Sequence, residues 1–441
     1  MTQLGTSESP AHVVPADWRD LATRYGRKTQ SALAGSILPF WSRTLDAQHG
    51  GVFNCWNNTN TQLVSRDKFT WSQGRFVWMW SRLEEVVGRG LLPGDRAAFL
   101  AHAGKTVAFL EAHAFLDDGR CAFLLSESGE VKELTPAAGK APSIYADCFV
   151  VMGFAEHARL SGNRAVLDAA WRLLESIERR LAAGGFPTFP DPIPEGHVSH
   201  AIAMIYLNVT LVVCAACAGL GDPRTAEIRA RNVAAAARIF DTFMLPGGRL
   251  AELRAAPGQS EDTLLCRHIN PGHALEGLWM LLSVAVREGR ADWLARASQA
   301  VRFAFERGWD DVHGGLLHFV DADGGPPVGA EGNSIYERSV RGTWDTKLWW
   351  VHSEALYASL LCYRYTGDAA VREWFERTWA YTFRTFPHPD VSIGEWIQIR
   401  DRRGAPLDRV VALPVKDPYH ITRNLIQIVE LWSEDLKSNP L

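Results

Sequence analysis

The chain has 441 residues, 47% hydrophobic and 22% charged, and a formal net charge of −4. This is globular composition with enough length to bury a large core, and without a basic surplus it argues against nucleic acid or an anionic membrane as partner. The start, MTQLGTSESPAHVVPADW, has neither the basic head nor the apolar centre of a secretory signal, and no apolar run reads as a membrane span.

Residues 1–15 therefore read as a flexible tail, and 16–441, which no Pro/Gly/Ser-rich linker interrupts, as one catalytic domain. The seven cysteines are scattered and odd in number, as expected of free thiols in the cytoplasm. Helical periodicity dominates and predicts about twelve helices, near 16–46, 68–87, 95–113, 144–161, 163–183, 198–218, 223–243, 271–287, 290–307, 344–364, 368–385 and 419–435. Asn270-Pro271 puts a helix-tolerant proline at an N-terminus. Ser161-Gly162-Asn163 and Thr366-Gly367-Asp368 read as turns between helices, with glycine in the left-handed position.

Every second helix opens on aromatic and polar residues. These openings are Trp71 to Arg75, Tyr145-Ala146-Asp147, Met204 to Asn208, Pro271-Gly272-His273, Lys347 to Trp350, and Tyr419-His420. They recur every 60–75 residues, roughly one helical hairpin with its loops. Six such hairpins suggest a closed double ring whose inner helices aim their openings into one cavity, although an open solenoid has the same spacing. An internal echo favours related parts: His49-Gly50-Gly51-Val52-Phe53 returns as His313-Gly314-Gly315-Leu316-Leu317, each ahead of Lys-x-x-Trp, at Lys68–Trp71 and Lys347–Trp350. The glycine pairs read as turns into short strands.

Several signatures fail. Gly104-Lys105-Thr106 resembles the end of a phosphate loop, but Phe99 stands where the first glycine belongs. Asp321-Ala322-Asp323-Gly324 lacks the glutamate of a calcium loop and reads as a turn. Cys214 and Cys217 read as small buried residues of an Ala-rich helix, and His197 with His200 as a hydrogen-bonded or solvated pair. His352 reads as structural or as a support to the site.

His273 differs. It falls in the first turn of a helix, where the dipole favours the neutral ring, and Glu276 lies on the same face, able to orient it. A helix-cap cluster around a buried histidine fits the local sequence equally well. Asp417-Pro418-Tyr419-His420 repeats the theme at the last helix, and the two imidazoles meet only if the ring closes.

At these residues the chain resembles the N-acylglucosamine 2-epimerase family, from about residue 38 to 435. The stretches that carry the resemblance are His49-Gly50-Gly51, KFTWSQGRFVWMWSRL, SIYADCFVVMGFAE, NPGHALEGLWMLL, HGGLLHFVDADG, KLWWVHSEAL, Gly394-Glu395-Trp396 and Tyr419 to Arg423, in the family's order. The resemblance implies an all-α (α/α)6 barrel with a few short β-hairpins in its loops, and chemistry on a reducing sugar without metal or other cofactor. It carries the family's catalytic histidines onto His273 and His420, its sugar-binding arginine onto Arg75, and the carboxylate of Gly-His-x-x-Glu onto Glu276. Asn208 stands where N-acylglucosamine epimerases carry Asn and many aldose–ketose isomerases carry His. Tyr145, Trp349 and Trp350 complete the expected sugar-binding set. There are departures: Tyr419-His420-Ile421-Thr422-Arg423 replaces Phe-His-Val-Pro-Arg, Asp147 replaces the Glu of Ser-Glu-Cys-Phe, and Ile397-Gln398-Ile399-Arg400 replaces Phe-Gly-Tyr-Leu.

The expectation is a 2-epimerase interconverting N-acylglucosamine and N-acylmannosamine, with room for a homodimer. A mannose–fructose isomerase or a mannose–glucose epimerase is the alternative within the family. Outside it stand an (α/α)6 glycoside hydrolase, with Asp147, Glu276 and Glu354 as candidate carboxylates, and a binding protein on the same scaffold.

Overall fold

The computed structural model describes residues 14–410 and 413–437, so the tail expected over 1–15 lies almost wholly outside the described residues. Twelve long helices carry the fold. The odd-numbered ones are α1 (Trp18–Ala32, running through a π-helical turn at Leu33–Ile37 into Leu38–Ser42), α3 (Arg96–His113), α5 (Arg164–Ala183), α7 (Thr225–Thr242), α9 (Ala291–Gly308) and α11 (Ala369–Thr385). The even-numbered ones are α2 (Thr70–Gly88), α4 (Ile144–Ser161), α6 (His200–Gly219), α8 (Pro271–Arg287), α10 (Trp349–Thr366) and α12 (Tyr419–Lys437). Each even helix packs on the next, and α12 returns to α2, which closes the ring; each odd helix backs an even one. This is the (α/α)6 barrel, and all twelve helices fall close to their predicted ranges.

The local reasons are those the sequence offered. Asn163, Asp95, Ser199, Asn270 and Asp368 accept hydrogen bonds from first-turn N–H groups. Gly162 and Gly367 end α4 and α10 at φ 74° and 66°. Outer helices are amphipathic: α5 buries Val166, Leu167, Ala170, Trp171, Leu174 and Ile177 on one face. Inner helices are buried nearly all round because neighbours surround them. By length and composition α6 could cross a membrane, which corrects the reading that no such run exists; here it is the inner helix between α4 and α8. Helices α2 and α4 cross backbone to backbone, because a Cβ on Gly74 would lie 2.5 Å from the Phe149 carbonyl and one on Gly153 would lie 2.4 Å from the Gly74 oxygen.

Short antiparallel pairs tether the inner-helix openings. Lys68–Phe69 pairs with Leu124–Leu125, His197–Ser199 with Leu253–Ala255, His268–Ile269 with Val320–Asp321, and Lys347–Leu348 with Ile399–Arg400. The sequence echo is a repeated hub. Lys68 Nζ donates to Asp46 and the Gly50 carbonyl, both at 2.7 Å, and Lys347 Nζ to Asp310 at 3.1 Å and the Gly314 carbonyl at 2.7 Å. Gln73 and His352 then occupy matching places, accepting the backbone N–H of Val52 and Leu316, each at 2.9 Å. His352 is thus structural, pushed down to about 3 by burial. Two short helices, Leu264–Arg267 and Ile335–Thr343, were not anticipated. Gly104-Lys105-Thr106 lies within α3, Cys214 and Cys217 are buried in α6, and Asp321 and Asp323 bind Arg267 at 2.6 and 2.8 Å.

Candidate active site

The site is built from the N-terminal turns of the inner helices. Asn270 Oδ1 accepts the N–H of His273 at 3.1 Å and Pro271 presets the first turn of α8, which places His273 in that turn. Its ring Nδ1 lies 2.9 Å from Glu252 Oε1. Glu252 precedes the short strand Leu253–Ala255, and its carbonyl accepts the N–H of His200 at 2.9 Å, so one residue ties two inner-helix openings together. Burial alone would lower the His273 pKa; the Glu252 carboxylate overrides it and raises His273 to about 8, while His273 in turn helps hold the buried Glu252 down at about 2. Two expectations are corrected here. His273 is not held neutral by its helix dipole, because a full carboxylate at hydrogen-bonding distance outweighs a partial charge. Nor does Glu276 orient it.

Glu276 instead faces α12, where Arg423 Nη2 reaches its Oε1 at 2.7 Å and Glu354 Oε1 at 2.5 Å. Glu354 lies one turn beyond Trp350 on α10, and its Oε1 also meets His420 Nδ1 at 2.6 Å while its Oε2 accepts Trp279 Nε1 at 2.8 Å. His420 is held well below its ordinary pKa, first by burial and then by the Arg75, Arg423 and His273 cations, against the opposing pull of Glu276. Both histidines thus commit Nδ1 to a carboxylate, which leaves Nε2 as the nitrogen that meets a ligand. Trp350 touches both, its ring centroid 5.2 Å from that of His273 and 5.6 Å from that of His420. This contact needs Gly272, since a Cβ there would lie 2.5 Å from the Trp350 ring.

Arg75 comes from α2. Its guanidinium stands 3.9 Å from the Phe149 ring centroid, 5.0 Å from Trp71 and 5.2 Å from Tyr419, and its Nη1 pairs with Asp417 Oδ2. Burial lowers it to about 9, still a cation at neutral pH, and its Nε has no partner among the described residues. Tyr145 packs beside it on Trp71 at 5.3 Å, while Trp349 donates its Nε1 to the Asp417 carbonyl at 3.0 Å. Asn208 is buried two turns along α6 from His200, about 12 Å deeper at the helical rise. The structure therefore gathers His273, His420, Arg75, Glu276 and Trp350 around one end of the ring, puts Tyr145 and Trp349 beside Arg75, and sets Asn208 below.

Sequence reasoning missed Glu252 and read His200 only as a pair with His197; His197 Nδ1 instead bonds the Glu195 carbonyl at 2.9 Å, while the buried His200 has its Nδ1 4.0 Å from Glu252 and is pushed down to about 4 by burial. The only signal for Glu252 was an acid inside an apolar stretch, Leu250-Ala251-Glu252-Leu253, just after the Gly247-Gly248 turn. The carboxylates that a hydrolase would use are committed. Asp147 accepts the Cys121 N–H at 2.7 Å and Arg180 at 2.6 Å, and Arg423 bridges Glu276 and Glu354. Glu276, Glu354 and His420 also have metal-ligand spacing, with the Arg423 guanidinium bonded to both carboxylates.

Residues 51–423 match the family described as N-acylglucosamine 2-epimerase (GlcNAc 2-epimerase). The N-acylglucosamine 2-epimerase of Bos taurus is 32% identical over 403 residues, 90% of this chain and 88% of that one. Among solved structures, cellobiose 2-epimerase from Spirochaeta thermophila superposes with a TM-score of 0.73 at 20% identity, covering 96% of this chain and 100% of that one. A D-mannose isomerase superposes with a TM-score of 0.70 at 16% identity, covering 95% and 100%.

Proposed function

We infer, because this chain belongs to the N-acylglucosamine 2-epimerase family, that it is a sugar 2-epimerase and that N-acylglucosamine and N-acylmannosamine are its substrate pair. The observation that carries the chemistry is a pair of imidazoles that both touch Trp350, each with its Nδ1 on a buried carboxylate. His273, raised to about 8, holds a proton at neutral pH; His420, held low, does not. A neutral imidazole and an imidazolium are what a two-base epimerisation needs at its start.

In the open-chain sugar the C1 aldehyde acidifies the C2 hydrogen. His420 Nε2 takes that proton, the electron pair of the C–H bond moves into C1–C2, and the carbonyl pair moves to O1, forming an enolate. Arg75 meets the oxyanion with a fixed, buried cation, which stabilises charge that develops only in the transition state. His273 Nε2 then delivers its proton to the opposite face of C2, the C1 carbonyl re-forms, and C2 is inverted. Glu252 and Glu354 hold the rings in the tautomer that presents Nε2. Trp350 offers the sugar a face to pack on, and Tyr145, Trp349 and Asn208 complete the proposed contacts.

The reading is tested by incubating N-acetylmannosamine with the protein in deuterium oxide. N-acetylglucosamine carrying deuterium at C2 is the expected product. A ketose product would move the assignment to aldose–ketose isomerisation, and no exchange into any sugar would remove it.

A further inference from the structure

Arg75 does not fix its own aim. Helix α2 sets its Cα, but the guanidinium is turned by its bond to Asp417 Oδ2. Asp417 lies outside any helix, in the segment leading to α12. Its backbone is gripped on both sides by one amide. Gln398 Nε2 donates to the Asp417 carbonyl at 3.0 Å, and Gln398 Oε1 accepts the Asp417 N–H at 3.2 Å. Gln398 is anchored in turn. Its N–H donates to Asn58 Oδ1 at 2.9 Å, its carbonyl accepts the N–H of Trp349 at 3.0 Å, and its Nε2 also meets Glu395 Oε2 at 3.3 Å. The preceding residue is held in a similar way, with Asn54 donating to the Lys416 carbonyl at 3.1 Å and accepting its N–H at 2.8 Å.

We propose that Gln398 is a positioning residue for the reaction, clamping Asp417 so that Arg75 is aimed at the enolate oxygen; this rests on the role given to Arg75 above. Gln398 is 2% exposed, so it does not meet the sugar itself. The guanidinium is a planar fork, and the direction of its carboxylate partner sets where its remaining donors point. Its Nε, without a partner among the described residues, is the donor whose direction depends on the clamp.

The test is Gln398→Met, which keeps the volume and removes both hydrogen bonds. With N-acetylmannosamine, kcat for C2 exchange falls about tenfold while KM stays within about twofold, because misaimed transition-state charge stabilisation costs turnover rather than ground-state binding. In an Arg75→Ala background, with exchange followed by NMR over hours, the same substitution makes no further difference, since the effect passes through Arg75. Independently of turnover, phenylglyoxal labels Arg75 faster in the Gln398→Met protein, read by peptide mass mapping. A kcat within about twofold of the parent, an equal loss in the Arg75→Ala background, or unchanged labelling overturns the proposal. If the parent exchanges no sugar at all, the functional reading fails instead, and the labelling alone decides whether Gln398 positions Arg75.

Discussion

His273 Nδ1 lies 2.9 Å from Glu252 Oε1, so the proton affinity of one of the two proposed catalytic imidazoles is raised by a residue that no barrel helix carries. The sign of the effect is testable. His273 is raised to about 8 from an ordinary value of about 6.5, so it is an acid at neutral pH and loses that proton as pH rises through about 8. His420, held low, remains a base well into the acidic range. The kcat/KM profile should therefore be level around neutrality and fall above about 8. Glu252→Gln removes the raising charge and leaves burial, so the falling limb should move to about 6.5 or below. A limb that stays in place would contradict the pairing.

The same pair affects folding. A raised histidine adds stability that is full below about pH 6.5 and lost as pH rises through about 8. Glu252, held at about 2, adds stability that is full above its ordinary value of about 4.3 and lost as pH falls through about 2. Urea melts of the parent and of Glu252→Gln should differ most between about pH 4.3 and 6.5, and less as the pH leaves that window on either side.

Replacing either histidine by asparagine removes the proton carrier while keeping a polar side chain of similar reach. His273→Asn and His420→Asn should each slow epimerisation by about 10²–10⁴-fold with native circular dichroism. Full activity in either variant would remove that residue from the chemistry.

Arg423 is the cation between Glu276 and Glu354, and all three side chains are buried. Arg423→Met takes the guanidinium from two buried carboxylates, of which Glu354 keeps His420 and Trp279, and should destabilise the fold by about 3–5 kcal/mol. It also removes a cation that holds His420 low, so the His420 pKa should rise. Denaturant melts read the first effect, and NMR titration of the ring the second.

Gly272→Ala puts a methyl into the Trp350 ring. Overpacking of this kind costs about 1–3 kcal/mol, and Trp350 must move away from His273 and His420. A lower melting temperature together with a loss of exchange is the expected result.

The helices were legible because their signals are local. Asn270-Pro271, Gly162 and Gly367 act within a turn or two of the chain. The six openings announced which helices face inward, but an open solenoid has the same spacing, and closure was implied by the family resemblance. Glu252 was not legible because its meaning lies across a loop, where the chain turns back to reach the ring of His273. Glu276 was misread for a related reason: its spacing from His273 is right for contact, but Arg423, 147 residues away in sequence, claims it once the ring closes. Helix Ile335–Thr343 did carry a signal, since Ser334 and Glu337 form a capping box; at nine residues it was too short for periodicity to reveal.

Opposed proton affinities at His273 and His420 have a consequence for the cycle as a whole. In the proposed mechanism, when the sugar leaves, His420 carries the proton and His273 does not, so the free protein is a prototropic isomer of the one that bound the sugar. Another turnover in the same direction must wait for water to carry a proton back across the site. The reverse turnover needs no such wait. With abundant sugar the recovery of the catalyst, rather than the breaking of a C–H bond, then becomes the slow step. Isotopic counterflow of labelled sugar against its epimer is the visible sign of that regime.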